Sequence, residues 1–190
     1  MKKLFLTAVI ALFVSNLFAQ KDTDFYKHEI KASVSDAFLT SVFVTNDAFL
    51  YANFSVSYFY RPLKWLWVGG NFINYFGEKI YYTWREYDEN GRFSDFSKSK
   101  MKYCAVIAPE IRFSYKNTKK TILYSALSGG IGLEDGYDRR YYKYPSMIWH
   151  AQITFFGFSC NFGKNNHIFL GGELGVGMKG FGNIHGGYRF

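Results

Sequence analysis

The chain has 190 residues, a formal net charge of +8, 22% aromatic content and three prolines. That length suits one domain, and so basic a chain without a compact Lys/Arg stripe makes a poor nucleic-acid partner; anionic lipid or polysaccharide fits better. Only the extreme N-terminus holds a long uncharged apolar run, which excludes a bundle of membrane-spanning helices.

Lys2 and Lys3 precede an uncharged run from Leu4 to Leu17, and Ala19-Gln20 then opens the polar stretch QKDTD. A charged n-region, a short apolar h-region and a small residue at the cut describe an export signal. The run is shorter than the ~20 apolar residues of a spanning helix. Residues 1–19 are therefore expected to be a cleavable signal peptide and residues 20–190 the mature domain, with an uncleaved N-terminal anchor as the alternative. No cysteine follows at the cut, so lipoprotein processing is not suggested.

The rest of the chain alternates apolar and polar residues with a period of two, the strand signal. The first predicted strand, 26–36, puts Glu29 and Lys31 on one face. The stretch DAFLTSVFVTNDAFL that follows is too apolar for a solvated loop; a lid, a short helix and an extension of the first hairpin all remain open. Strands over 50–60 and 65–76 flank the short basic turn RPLK, and the second of them carries WVGGNFI. A long, charged and aromatic connection comes next, EKIYYTWREYDENGRFSDFSK. Its Asn90-Gly91 pair is a strong hairpin tip, so the flanking strands are expected to continue as a ribbon carrying Tyr81, Tyr82, Trp84, Arg85, Tyr87 and Phe93.

The strand predicted over 99–114 shows the clearest alternation. Met101, Tyr103, Ala105, Ile107, Pro109, Ile111 and Phe113 fall on one face; Lys100, Lys102, Cys104, Val106, Ala108, Glu110, Arg112 and Ser114 fall on the other. The run is about twice the mean strand of ~5 to 6 residues and matches a tilted membrane strand of ~9 to 11 residues with some overhang. The basic turn KNTKK leads to 121–133, with LSGGIGL. EDGYDRRYYKYPS then brings a weaker tip at Asp135-Gly136 and Tyr137, Tyr141, Tyr142 and Tyr144. Strand 147–162, the basic turn GKNNH, strand 167–178 with LGGELGV, and strand 182–190 complete the chain.

Short basic turns on one side and long loops on the other describe an all-β fold, an eight-stranded antiparallel up-and-down transmembrane β-barrel. The repeated Gly-Gly pairs do not suit a dinucleotide loop, because no helix pattern follows them; in the wall of a small barrel they mark bends or close approaches. A soluble barrel would alternate as well, so the contents of the two faces decide. In HIFLGGELGVGMK, Ile168, Leu170, Gly172, Leu174, Val176 and Met178 share one face, and His167, Phe169, Gly171, Glu173, Gly175, Gly177 and Lys179 the other. Glycines on a solvated face weaken a strand for no return. In a narrow bore they make room for neighbours, while the large residues opposite suit lipid. The apolar face, Met178 included, is expected to point outward.

In the last strand Ile184, Gly186, Tyr188 and Phe190 face one way and Asn183, His185, Gly187 and Arg189 the other. The ending Tyr188-Arg189-Phe190 resembles the C-terminal assembly signal of outer-membrane barrels, an aromatic residue, any residue and a final aromatic, with His185 standing where the fuller pattern has glycine. With the export signal and the eight strands, the chain resembles the small OmpA/OmpX-like outer-membrane β-barrel family over its mature length. That resemblance implies the bacterial outer membrane as location, outer-membrane lipid and the barrel-assembly machinery as partners, Tyr188 and Phe190 as the assembly signal, and a monomer closed by pairing of the last strand with the first. It does not fix an activity, because members range from anchors and adhesins to lipid-modifying enzymes.

Glu29, Lys31, Glu110, Arg112, Glu173 and Arg189 all point into the bore in these registers. Buried charges need partners, so one ionic network is expected, mostly toward the short-turn end, with Arg189 meeting Glu29 where the barrel closes. Its expected role is a plug; a narrow pore or transport-related barrel is the alternative, although eight strands leave little more than room for side chains. His28, His150, His167 and His185 show no ligand spacing and no cysteine cluster accompanies them, so no metal and no cofactor are expected. Cys104 and Cys160 lie on nonadjacent strands at different heights, beyond the roughly 7 Å that a disulfide spans, and two free thiols are expected. A lipid A-modifying enzyme needs a histidine with a serine or carboxylate in reach near the outer leaflet. His150 has that height but turns inward with Gln152 and Thr154, so no enzyme is expected.

The aromatic and arginine-bearing loops, with Tyr81, Tyr82, Trp84, Arg85, Tyr87, Tyr141 and Tyr142, are a candidate surface for an extracellular protein or glycan. An aromatic girdle with ordinary loop packing would explain the same residues. The sequence thus points to a nonenzymatic outer-membrane barrel with a largely sealed lumen, serving as a structural anchor or as a surface binding or adhesion module.

Overall fold

The computed structural model of the chain describes residues 26–36, 48–87, 93–137, 143–163 and 165–190. Its strands are β1 (His28–Asp36), β2 (Ala48–Leu63), β3 (Leu66–Tyr87), β4 (Phe93–Asn117), β5 (Thr121–Tyr137), β6 (Lys143–Phe162), β7 (Ile168–Gly177) and β8 (Gly182–Arg189). Each pairs antiparallel with the next, and β8 pairs antiparallel with β1, so the sheet closes into a barrel with no free edge. All eight strands lie where the alternation puts them, and β2 to β6 run longer. The ladder between β3 and β4 continues, with one register shift between Ile80 and Tyr82, up to Tyr87 opposite Phe93, which makes the predicted ribbon paired sheet to within a few residues of its tip. Residues 1–19, expected to be a signal peptide, residues 37–47 of the first connection, the Asn90-Gly91 tip, and Tyr141 and Tyr142 lie outside the described residues.

Burial alternates as the sequence does. In β1 the inward Glu29, Lys31, Ser33 and Ser35 are buried, while Ile30 and Val34 stand exposed on the outside. The outer wall carries Val56, Phe72, Ile107, Ile111, Leu127, Ile131, Ile153, Leu170 and Ile184. A contiguous apolar band of this kind is far beyond what a soluble monomer exposes. A bulge between Thr154 and Phe156 leaves Phe155 and Phe156 both outside. The extra residue restores the register, so Gly157, Ser159 and Asn161 face in again below it.

Large aromatics also point inward, and glycine is what lets them. Phe59, Tyr124 and Phe169 stand opposite Gly69, Gly157 and Gly187 on the neighbouring strands. A Cβ on Gly157 would come within 2.5 Å of the Tyr124 ring, and one on Gly187 within 2.7 Å of the Phe169 ring. Each ring lies over bare backbone, a place no side chain could share.

One outward residue is corrected. β7 ends at Gly177, whose φ of +141° turns the chain, and residues 178–180 fold back over the bore. Met178 therefore joins Ile73, Tyr75, Cys104, Val106 and Ala108 in an inner apolar cluster instead of facing lipid. Strict alternation fails here because the strand has already ended.

Candidate functional site

The bore holds the site, and its side chains come from nearly every strand. Glu29 on β1 stands opposite Arg189 on β8. Its Oε2 accepts from Arg189 Nε at 2.8 Å and its Oε1 from Arg112 Nη1 at 2.6 Å. Arg112 also donates through Nε to Glu110 Oε1 at 2.8 Å. Glu110 Oε2 accepts from Asn71 Nδ2 at 2.9 Å and from Lys179 Nζ at 2.5 Å. In a second arm, Glu173 Oε1 accepts from Lys31 Nζ and from the Tyr124 hydroxyl, both at 2.6 Å. Three carboxylates and four cations are thus paired with side chains that are all nearly inaccessible to solvent.

Several of these bonds cross the barrel rather than follow its wall. Arg112 reaches from β4 to β1, Tyr124 from β5 to β7, and Lys179 from the β7–β8 turn to β4. Strands that are not neighbours in the sheet are joined only through the interior, so each bond occupies the cross-section of the bore. The aromatics fill the remaining space. The Arg112 guanidinium lies 3.3 Å from the Phe59 ring centre and Arg189 4.0 Å from that of Phe169, cation–π contacts that favour arginine over lysine at these positions.

Arg189 is the most heavily used of the cations. Besides Glu29, it donates to Asn161 Oδ1 and, at 2.7 Å, to Ser159 Oγ, both on β6. One side chain on the last strand therefore ties β1 and β6 together at the seam.

Above the network, toward the long loops, the β7–β8 turn caps the bore. The Lys179 carbonyl accepts from Ser35 Oγ at 2.5 Å and from Asn53 Nδ2 at 3.0 Å. Gln152 holds the other side, accepting from Lys179 N at 2.8 Å and donating to the Gly180 carbonyl at 3.3 Å. His150 is buried near this level, its Nδ1 3.1 Å from the Tyr75 hydroxyl. It does not open to the outer leaflet. Below the network, a recess of about 350 Å³ opens at the short-turn mouth, bounded by Arg61, Trp67, Asn117, Asn161 and Arg189.

All six charges singled out in the sequence meet in this interior. Sequence reasoning missed Lys179 as their partner, together with Asn71, Tyr124, Ser159 and Asn161. Lys179 carried a signal only by coincidence, since the alternation of HIFLGGELGVGMK run past the end of the strand puts it on the inward face. Tyr124 carried a weaker signal: it alternates with Ala126 and Ser128 on the inward face, but only Gly157 beneath it makes room for so large a ring there. Tyr188 and Phe190 sit at the short-turn rim, where Phe190 stacks on His28 with ring centres 5.3 Å apart and Tyr188 on His167 at 5.2 Å. Tyr81, Tyr82, Trp84, Arg85 and Tyr87 lie on the upper part of β3, with Trp84 opposite Phe96 and Arg85 opposite Asp95. Cys104 and Cys160 are free thiols, on β4 and β6.

No protein-family model matches the chain, and no curated protein matches it. Among solved structures, it is similar to Ail, the attachment invasion locus protein of Yersinia pestis, in complex with the heparin analogue sucrose octasulfate. The identity is 11%, over 88% of this chain and 100% of that one, with a TM-score of 0.48. The backbone structure of the Yersinia pestis outer-membrane protein Ail in a phospholipid bilayer nanodisc is 13% identical over 87% of this chain and 100% of that one, with a TM-score of 0.37. Likeness at this level says nothing of what the chain binds. The fold rests on the chain's own geometry, a closed, all-antiparallel, eight-stranded up-and-down barrel with apolar residues outside and charges within, the architecture of the small OmpA/OmpX-like outer-membrane barrels.

Proposed function

We propose that the protein is a nonenzymatic outer-membrane barrel with a sealed bore, a rigid anchor that presents the β3–β4 ribbon and the β5–β6 hairpin to an extracellular protein or glycan. The carrying observation is the set of ion pairs that cross the interior, capped by the β7–β8 turn. Such an interior stiffens the wall and keeps its described charges paired with one another. Residues 1–19 serve as the signal peptide, Tyr188 and Phe190 direct assembly, and the molecule acts as a monomer.

Activity then lies with the loops. Trimming residues 81–96 to a tight turn is expected to abolish adherence of expressing cells to host-cell or glycan-coated surfaces, while the purified variant still shows the heat-modifiable gel mobility of a folded barrel. Unchanged adherence would contradict the role of the ribbon, and loss of the folded form would make the ribbon structural.

A further inference from the structure

The two rims of the barrel differ in charge. Residues 77–100 and 134–147, on the long-loop side, carry eight acidic and eight basic side chains. The short-turn segments 26–28, 61–65, 115–121 and 163–167 carry Lys27, Arg61, Lys64, Lys116, Lys119, Lys120 and Lys164 and not one Asp or Glu. Lys27, Lys64, Lys116, Lys119 and Lys120 are all exposed; Lys164 lies outside the described residues, as do Lys21, Asp22 and Asp24 upstream. Among the described residues, the three acidic side chains nearest this rim, Glu29, Glu110 and Glu173, are buried and already paired inside the bore.

Just within the basic rim lies an aromatic belt. Tyr58, Tyr60, Phe113, Phe162, Tyr188 and Phe190 are exposed on the outer wall at that end. Aromatic rings of this kind settle at the headgroup level of a bilayer, so the lysines next to them fall where lipid phosphates lie. Short turns face the periplasm in outer-membrane barrels, which makes the facing leaflet the inner one.

We infer that the short-turn rim is a collar for anionic phospholipid headgroups, Lys64, Lys116, Lys119 and Lys120 pairing with the phosphates of the periplasmic leaflet. The inference rests on the outer-membrane reading above and adds a leaflet, a headgroup charge and the residues that meet it. Basic side chains at a membrane surface each favour anionic lipid, and the effect fades within a Debye length as salt rises. The collar would hold the barrel at a fixed depth, with the balanced rim opposite left free of any headgroup preference.

The test is electron spin resonance of spin-labelled lipids around the folded protein in phosphatidylcholine bilayers. Labelled phosphatidylglycerol is expected to associate about threefold or more over labelled phosphatidylcholine at low salt, with the preference gone at high salt and in a Lys64→Gln, Lys116→Gln, Lys119→Gln, Lys120→Gln variant. Equal association of the two lipids in the folded wild-type protein overturns the collar alone. So does a preference that survives the fourfold variant. A chain that folds into neither neutral nor anionic bilayers overturns the membrane reading, and the collar with it.

Discussion

The wall of this barrel is tall on one side and short on the other. β3 and β4 have 22 and 25 residues, β7 and β8 have 10 and 8. At ~3.3 Å per residue and a tilt of ~40°, the first pair rises roughly 55 to 65 Å and the second roughly 20 to 25 Å, against an apolar band of ~25 Å. The short wall is as tall as a membrane requires, and the tall wall is more than twice that. Lipid cannot account for the excess. The short wall instead holds what keeps the barrel closed, namely the β1–β8 seam, Arg189 and the inward-folded turn that carries Lys179. Stability and presentation are thereby separated by height, the network and seam lying within the membrane span and the ribbon above it, and each can be attacked without the other.

The largest effect is expected from Glu29→Ala. It strips Arg112 and Arg189 of the carboxylate they share, and an unpaired buried charge typically costs ~3 to 5 kcal/mol. Urea unfolding in lipid vesicles measures this, and a loss below ~1 kcal/mol would show that water already reaches the pair. Arg189→Ala should cost a similar amount, and the double variant with Glu29→Ala less than the sum, because each single change already breaks the bond the two share. Additive losses would place the two side chains in separate environments.

Gly157→Ala should come next, at ~1 to 3 kcal/mol, since the new methyl displaces the Tyr124 ring and with it the bond to Glu173. A neutral result would mean that the ring has room to move. Ile184→Ala should cost the least, ~1 to 2 kcal/mol, the water-to-lipid transfer of the carbons removed, because lipid fills the space they leave and no cavity adds to the loss.

How much of this was legible in the sequence depends on what sets each feature. Strand positions and facing follow from a period-two pattern that a membrane barrel must obey along its whole length, and Glu29, Lys31, Glu110, Arg112, Glu173 and Arg189 were placed by that pattern alone. Which of them would touch was legible only at the seam, where closure fixes β1 against β8. The links from Arg112 to Glu29 and from Lys179 to Glu110 depend on shear and bore width, and these do not show in any one strand. Met178 was misplaced for a related reason. Alternation is a property of extended chain, and the glycine conformation that ends β7 is invisible among the other glycines of LGGELGVG. Of the inward aromatics, Phe169 was placed by the alternation, whereas Phe59 and Tyr124 were hidden, because each needs a glycine on a different strand.

The sealed bore is the central claim, and single-channel recording across planar bilayers tests it most directly. With the barrel intact, Lys179 on Glu110 and Arg112 on Glu29 bridge the cross-section, so folded wild-type protein should insert and give no stable conductance at either polarity. Reproducible single-channel steps from the folded wild-type protein would contradict the account and make the interior a narrow pore.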